Sequence, residues 1–186
     1  MCSPTASPRL DYAEATPAWT RAVSNGWMEK TNAMRLLDAR RIPYRMKVYD
    51  PAREFHSAEE AAQLIGAPVE SVYKTLVVLH EAKSKPMLVM IPAHRQVDLK
   101  LLAKEIGEKR LRMATQREAE QLTGLQVGGI SALTLLNRGF EVCLDASAQA
   151  LEAIHVSAGV RGIDLELDMK DLVAVTKAKV VRAVSD

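Results

Sequence analysis

The chain has 186 residues, of which 48% are hydrophobic and 26% are charged, and its formal net charge is only +2. This length and balance exclude a wholly disordered chain and allow one ordinary domain with a sizeable core. The small net charge argues against a broad electrostatic grip on nucleic acid, so an RNA partner would need a local basic patch or contacts to one end of the molecule.

The remaining bulk features predict a cytoplasmic protein without a membrane partner. The longest uncharged stretch, residues 121–137, contains three glycines, and it is shorter than the roughly 20 apolar residues of a membrane-spanning helix. The sequence near residue 1 has no basic region followed by an apolar run, so no secretory signal is predicted. Cys2 and Cys143 lie far apart in the sequence, which favours reduced thiols over the alternative of one disulfide.

Residues 1–30 differ from the rest of the chain. They contain three prolines and several serines and threonines, and they show no sustained hydrophobic period. We predict an N-terminal extension, partly ordered, with one short helix around residues 17–23. Trp19 and Trp27 are candidates to attach it to the body or to a partner chain. The predicted domain covers residues 31–186.

The patterned region opens with alternating helix and strand signals. A helix is predicted over residues 31–41, where the first residue is a threonine suited to capping, and a strand over residues 44–50. Ser57 and Glu60 have the spacing of a capping box for a second helix over residues 57–66. The next two segments, residues 75–80 and 87–91, are short apolar runs rich in valine and leucine. A charged, proline-containing connection separates these two runs, which predicts two buried strands that form a hairpin.

The middle of the chain continues with a helix over residues 98–107, where an aspartate caps the start and a glycine stops the end. Residues 111–113 are predicted as a short strand. Thr115 and Glu118 form a second capping box, for a helix over residues 115–124.

The last third of the chain is richer in strands. A glycine-containing loop at residues 127–131 precedes three alternating segments, predicted as strands over residues 140–144, 153–157 and 162–167. A final helix is predicted over residues 168–175. The short connections and mixed signals predict an α/β fold of the mixed α+β type, with a largely antiparallel sheet and helices packed around it in one domain.

Standard catalytic motifs are missing from the sequence. It contains no G-x-S-x-G elbow, no phosphate-binding P-loop and no G-x-G-x-x-G run. The histidines lack metal-ligand spacing, so we expect no metal site and interpret them as surface or strand-end residues. Cys143 lies in an apolar strand, which favours a small buried filler over a nucleophile. The histidines are His56, His80, His94 and His155.

Three segments remain as candidate sites, each with an ordinary structural interpretation beside a functional one. Lys74 enters an apolar strand, either as a lysine that snorkels to solvent or as a fixed cation aimed at a phosphate or a developing oxyanion. Gly128 to Ser131 form either a simple turn or a cradle of N–H groups for an anion or carbonyl oxygen. Residues 156–164 form either an ordinary hairpin or a cluster of hydroxyl, guanidinium and carboxylate groups.

Taken together and in this order, the three segments resemble the YbaK/EbsC family and the related editing domain inserted in bacterial prolyl-tRNA synthetases. The resemblance covers about residues 31–182. The motifs that carry it are Tyr73-Lys74-Thr75-Leu76, Gly128 to Ala132, and Val156 to Gly162.

This resemblance implies one domain with a closed or strongly curved, barrel-like mixed sheet surrounded by helices, and no cofactor. It implies a hydrolase that removes a wrongly attached amino acid, usually cysteine or alanine, from the 3′ acceptor end of a mischarged tRNA for proline. Such an aminoacyl-tRNA deacylase acts in trans-editing and serves translation fidelity. Prolyl-tRNA synthetase is an implied partner, and both a monomer and a homodimer stay open.

The family's essential lysine falls on Lys74, and we expect Gly128 and Gly129 to act with it as catalytic residues through their backbone. Arg161 is interpreted as structural, paired with a nearby carboxylate. The expected substrate-binding residues are Tyr49, Thr75, Ile130, Ser131, Ser157, Gly159 and Asp164.

The chemistry of an aminoacyl ester fits such a site, because positioning and oxyanion stabilisation suffice without a metal or a covalent nucleophile. In our hypothesis Lys74 holds the terminal phosphate or ribose, and N–H groups of residues 128–131 bind the carbonyl oxygen. The attacking group is water, or the substrate's own thiol in a cysteinyl ester. One residue departs from the family pattern, Ala132 in place of proline. Because of this departure, the alternative function is that of a tRNA- or nucleotide-binding module with the same fold.

Overall fold

The computed structural model describes residues 29–49, 58–81 and 85–185. Residues 31–186 make up one unit, and the fold described below is the fold of this unit. Residues 1–28 of the predicted N-terminal extension, with its short helix and two tryptophans, lie outside the described residues. None of the described helices is long and apolar enough to cross a membrane.

The described residues form six α-helices and eight strands, which are numbered here in chain order. The helices are α1 (Asn32–Ala39), α2 (Ala58–Ile65), α3 (Leu99–Ile106), α4 (Gln116–Thr123), α5 (Ala132–Leu135) and α6 (Met169–Thr176). The strands are β1 (Tyr44–Val48), β2 (Val72–His80), β3 (Met87–Pro92), β4 (Leu111–Met113), β5 (Glu141–Asp145), β6 (Ala153–Ser157), β7 (Ile163–Asp168) and β8 (Lys179–Val181).

All eight strands belong to one mixed sheet. Its order is β1-β7-β6-β2-β3-β5-β8, and β4 pairs with β2 beside this path. The pairings β1–β7, β6–β7, β2–β3 and β2–β4 are antiparallel, whereas β2–β6, β3–β5 and β5–β8 are parallel. The predicted mixed α+β domain is therefore confirmed.

The closed or barrel-like form of the sheet is corrected. Among the described strands, β1 and β8 end the order and do not pair with each other. Closure would require hydrogen bonds between these two end strands. The three-residue strand β8 instead pairs with β5 from Cys143 to Asp145, on the far side of the sheet from β1.

The predicted helix starts agree well with the structure. The side chains of Thr31, Asp98 and Asp168 accept hydrogen bonds from backbone N–H groups in the first turns of α1, α3 and α6. Thr115 and Glu118 form the expected capping box of α4. Each cap satisfies donors that have no partner within the helix, typically contributing about 1 kcal/mol. Ser57 of the other predicted capping box lies outside the described residues.

Two elements were not predicted, and tertiary partners explain both. The helix α5 has four residues, too few for a helical period to be visible. The strand β8 has three residues and is held by its parallel pairing with β5. In the same way, β2 begins at Val72 rather than Thr75, because Val72 and Tyr73 pair with His155 and Val156 of β6.

Two helices cover the same face of β2 and leave a gap between them. Side chains alternate along a strand, so Val72, Lys74, Leu76 and Val78 share one face. Val72 packs in a cluster with residues of α2, and Leu76 and Val78 pack in a cluster with Leu102 of α3. Lys74 lies between these two apolar clusters.

Candidate active site

A cavity of about 460 Å³ opens beside Lys74. It is formed where β2, the loop before α5, and the connection between β6 and β7 come together. Seven of the ten predicted site residues line it: Tyr49, Lys74, Thr75, Gly128, Ile130, Ser157 and Asp164. Gly129, Ser131 and Gly159 are absent from the lining. The three sequence segments therefore converge in space, although they are separated along the chain.

Lys74 is held by the main chain. Its Nζ donates a hydrogen bond of 2.7 Å to the carbonyl oxygen of Ala93, and the Ala93 N–H in turn donates to the Val72 carbonyl at 2.7 Å. Burial lowers the pKa of Lys74, and the nearby carboxylate of Glu59 opposes this shift. An ammonium group has three donors, so one fixes its position and two can serve a ligand in the cavity.

The loop before α5 presents backbone to the cavity. Gly128 has a φ of 91°, a conformation that glycine adopts without the steric cost of a side chain. The N–H of Gly129 donates to the Gln126 carbonyl at 2.9 Å within a turn. The backbone of Gly129 is thus engaged in the turn, while its neighbours Gly128 and Ile130 line the cavity.

Gly129 instead lets this loop approach the β6–β7 connection. A Cβ atom at Gly129 would lie 3.1 Å from the backbone nitrogen of Arg161 and 3.1 Å from the carbonyl carbon of Val160. The loop and the connection are also joined by Arg161, whose Nε donates to the Val127 carbonyl at 2.7 Å. A nearby carboxylate was the expected partner of Arg161, so that prediction is corrected to a main-chain carbonyl.

Ser131 and Gly159 do not line the cavity and have structural roles next to it. Ser131 is 1% exposed and occupies the N-cap position of α5 without a side-chain capping bond. Gly159 has a φ of 96°, and a Cβ atom at this position would collide with Oγ1 of Thr134 in α5. A glycine is thus required at 159 both by its backbone conformation and by the close approach of α5.

The β6–β7 connection places a hydroxyl and a carboxylate at the cavity. Ser157 and Asp164 face each other in the antiparallel register of the two strands, and the turn is closed by a 2.9 Å hydrogen bond from the Ala158 N–H to the Ile163 carbonyl. Asp164 is only 6% exposed. Burial raises the pKa of its carboxyl group to about 6, so it is mostly ionised at neutral pH.

Tyr49 closes the side of the cavity next to Asp164. Its N–H donates to the Gly162 carbonyl at 2.9 Å, which holds the residue after β1 against the same connection. Burial raises the pKa of the Tyr49 phenol, and the charge of Asp164 adds to this shift. The phenol therefore stays neutral and can donate a hydrogen bond.

Sequence reasoning missed several lining residues. Glu59 of α2, Gln116 at the start of α4, Val127 and Arg161 also face the cavity. Arg161 belongs to a recognised motif and could have been included from its position there. Glu59 and Gln116 sit in ordinary first turns of helices, so no local pattern marks them. They reach the site only because α2 and α4 pack beside β2.

The histidine prediction is corrected in part. His80 is buried, but it is the last residue of β2 and thus lies at a strand end as predicted. His155 is buried in the middle of β6, which contradicts the prediction. Its Nδ1 is 3.3 Å from Oγ of Ser71, and its Nε2 is 3.7 Å from a carboxylate oxygen of Glu166. Ser71 lies in a 3-10 turn just before β2 and Glu166 lies on the neighbouring strand β7, so the sequence of β6 alone does not reveal these partners. Neither histidine lines the cavity.

His94 is exposed, as predicted, and His56 lies outside the described residues. Cys143 is buried, and burial raises the pKa of its thiol to about 11. It is a packing residue of β5, as the sequence predicted. The described residues contain no cluster of histidine, cysteine, aspartate and glutamate that could hold a metal ion.

Comparison with known proteins gives consistent results. The sequence profile described as "Aminoacyl-tRNA editing domain" matches residues 52–175. A protein of Enterococcus faecalis named "Putative Cys-tRNA(Pro)/Cys-tRNA(Cys) deacylase EbsC" is 34% identical over 151 residues, which cover 81% of this chain and 91% of that protein. Proline–tRNA ligase of Aquifex aeolicus is 29% identical over 89 residues, which cover 48% of this chain and 15% of that enzyme.

Solved structures share the fold. The crystal structure of hypothetical protein APE2540 superposes with a TM-score of 0.72 at 26% identity, covering 83% of this chain and 99% of that one. A structure described as "a putative trans-editing enzyme for prolyl tRNA synthetase" gives a TM-score of 0.69 at 24% identity, covering 83% of this chain and 96% of that one.

Proposed function

This chain belongs to the aminoacyl-tRNA editing domain family, and on that premise we propose that it is an aminoacyl-tRNA deacylase. Its substrates are mischarged tRNAs for proline, with Cys-tRNA(Pro) as the preferred substrate and Ala-tRNA(Pro) as the second choice. Similarity to the Enterococcus deacylase and to part of a proline–tRNA ligase supports this choice. The relation to the ligase also supports prolyl-tRNA synthetase as a partner.

The observation that carries the proposal is that a fixed cation, a backbone loop and a buried carboxylate line a single cavity. Lys74, Gly128, Ile130 and Asp164 all line it. Its volume of about 460 Å³ falls in the range of small-molecule sites, about 300–1,000 Å³. It suits the terminal nucleoside of a tRNA with a small amino acid attached.

Lys74 stabilises negative charge in this mechanism. Its ammonium is fixed by the Ala93 carbonyl and partly removed from water, so its attraction for an anion is stronger than at the surface. In this hypothesis the ammonium of Lys74 reaches both the terminal phosphate of the tRNA and the carbonyl oxygen of the ester. Because the donor is pre-positioned, little reorganisation is needed as charge develops during attack on the ester.

The loop supplies the second set of donors. We assign the N–H groups of Gly128 and Ile130 to the carbonyl oxygen, because these residues line the cavity while the Gly129 N–H is bonded to Gln126. Gly129 acts by allowing the close approach of loop and connection. Removing one such oxyanion donor from an enzyme typically costs about 2.7–4 kcal/mol in the transition state.

Asp164 and Ser157 orient the amino-acid end. The free α-ammonium group of an aminoacyl ester is a cation, and the buried carboxylate of Asp164 is a suitable partner for it. Ser157 and the phenol of Tyr49 add neutral hydrogen-bonding groups beside Asp164. Attack by water then gives the free amino acid and the 3′-hydroxyl of the tRNA. In a cysteinyl ester the substrate thiol is the competing nucleophile: the C–S bond of a β-thiolactone forms as the ester C–O bond breaks, and the thiol proton passes to the departing ribose oxygen. Water then opens the thiolactone to give free cysteine.

A panel of tRNAs charged with cysteine, alanine, serine or proline tests the proposal. We expect wild-type protein to release cysteine and alanine and to spare proline, and we expect Lys74→Ala to reduce kcat by about 10²–10³-fold. Circular dichroism and thermal unfolding of the variant check that its fold is retained. Equal rates for Lys74→Ala and wild type on every substrate would reject the role of Lys74. Binding of tRNA without hydrolysis by the wild type would favour the binding module instead.

A further inference from the structure

A second cavity, of about 470 Å³, lies at the other end of β2. We call it the basic cavity, because five of its lining residues are cations: Lys100 and Lys104 of α3, Lys109, Arg110 and Arg112. Leu99, Ala103 and Leu111 give it an apolar floor, and Glu81 and Glu108 are its two carboxylates. The whole chain has a net charge of only +2, so this concentration of positive charge is local.

The cations of the basic cavity are of two kinds. Arg112 forms a two-bond contact with Glu118, and Arg110 lies 3.5 Å from Glu81. The three lysines, Lys100, Lys104 and Lys109, are exposed and form no ion pair with the described residues. Lys100 and Lys104 are four residues apart on one helix, where like charges repel slightly. An external anion would relieve this repulsion.

The basic cavity is on the same side of the sheet as the candidate active site. Helix α3 packs on the face of β2 that carries Leu76 and Val78, and Lys74 shares that face by strand alternation. Leu111, which lines the basic cavity, pairs opposite His80 of β2, and His80 is also on the face that carries Lys74. Lys74 and His80 are six residues apart, or about 20 Å along a strand.

A nucleic-acid strand can span this distance. A stacked strand carries one phosphate per 3.4 Å or so, and thus about six phosphates over about 20 Å. We propose that the basic cavity binds backbone phosphates of the tRNA acceptor arm while its charged 3′ end occupies the cavity beside Lys74. The inference rests on the proposed function for its substrate, and it identifies the local basic patch that a chain of small net charge needs to bind RNA.

The test uses the full chain and a triple variant, Lys100→Gln, Lys104→Gln and Lys109→Gln. Fluorescence anisotropy with uncharged tRNA for proline gives the Kd between 50 and 200 mM salt. Since each lost phosphate contact lowers the salt slope by about 0.7–0.9, we expect the slope to fall by about 2–3 and the Kd to rise about tenfold or more. Hydrolysis of an aminoacyl ester of AMP, which has no acceptor stem, should keep its wild-type kcat/KM.

Two further variants keep the test specific. Replacing the same three lysines by arginine retains the charge and should restore tRNA binding. Changing Lys170, Lys177 and Lys179, three exposed lysines elsewhere, to glutamine removes the same net charge and should leave tRNA binding unchanged.

The possible failures are separable. A wild-type Kd and salt slope in the basic-cavity glutamine variant would overturn the inference, and so would an equal loss in the control variant or no restoration by arginine. If wild-type protein hydrolyses neither ester but its tRNA binding depends on the three lysines, the proposed function fails while the basic cavity stands as an RNA site.

Discussion

The candidate active site and the basic cavity have nearly the same volume, about 460 and 470 Å³, but they organise charge in opposite ways. In the first, the ammonium of Lys74 is anchored to a main-chain carbonyl and Asp164 is 6% exposed. In the second, exposed lysines extend from a helix and a loop. A fixed, partly buried charge acts strongly on one atom, whereas exposed charges are screened and act through their number.

This contrast separates reaction from binding. A change that disturbs the backbone frame of the first cavity should affect hydrolysis and leave affinity for tRNA nearly unchanged. Added salt should have the opposite effect, because it weakens contacts between exposed lysines and phosphates. The following substitutions test this division, from the largest expected effect to the smallest.

Gly159→Ala should disrupt the backbone that forms the candidate active site. The new methyl group would collide with Oγ1 of Thr134, and such overpacking typically costs about 1–3 kcal/mol. Gly139→Ala is a matched control, since Gly139 also has a positive φ but a Cβ atom there meets nothing within 4 Å. Urea unfolding should give a lower free energy of unfolding for Gly159→Ala than for Gly139→Ala. Hydrolysis should fall only in the former, and equal behaviour of the two variants would contradict the steric role of α5.

Asp164→Asn should show that pH affects hydrolysis in the first cavity but not tRNA binding at the second. Because the pKa of Asp164 is about 6, the ionised fraction falls to about one tenth near pH 5, and hydrolysis should fall by a similar factor. The variant should lose this acid limb and have a low rate throughout. Binding of uncharged tRNA should be nearly the same in both proteins from pH 5 to 8. An unchanged acid limb in Asp164→Asn would exclude this carboxylate as its cause.

The same substitution should change stability with a defined sign. The folded-state pKa of Asp164 is raised from 3.8 to about 6 by burial, so the native state prefers the protonated form. The free-energy cost of burying the ionised carboxyl group is absent below about pH 4 and is fully present once the pH has risen through 6. Asp164→Asn should therefore raise the free energy of unfolding at pH 7 by about 3 kcal/mol, with little change at pH 4. Equal stability of wild type and variant at pH 7 would contradict the burial penalty.

Ala132→Pro should have the smallest effect. Ala132 is the first residue of α5, a position where proline fits and where its missing N–H costs no helical bond. Ser131 is extended, with φ −134° and ψ 128°, as the residue before a proline requires. We expect a gain of about 0.4–1 kcal/mol in the free energy of unfolding and hydrolysis equal to or above wild type. A large loss of hydrolysis would mean that the active loop differs from this conformation.

Local signals in the sequence predicted much of the frame. Thr31, Asp98, Thr115 and Asp168 mark helix starts through contacts within three residues, and the structure has each of them. The hairpin of β2 and β3 was also evident, because both strands are apolar and adjacent in the chain. Lys74, the glycine loop and the β6–β7 connection were recognised as motifs, although their roles stay proposals.

The tertiary structure decided which of these residues share a cavity. Glu59 and Gln116 enter it because α2 and α4 pack beside β2, while Gly129, Ser131 and Gly159 stand behind it. The open sheet edge and the strand β8 likewise depend on pairings between segments far apart in the chain. Caps and alternating strands follow from contacts between near neighbours, which one segment of sequence contains. Pairing and convergence depend on distant segments, and no local pattern encodes them.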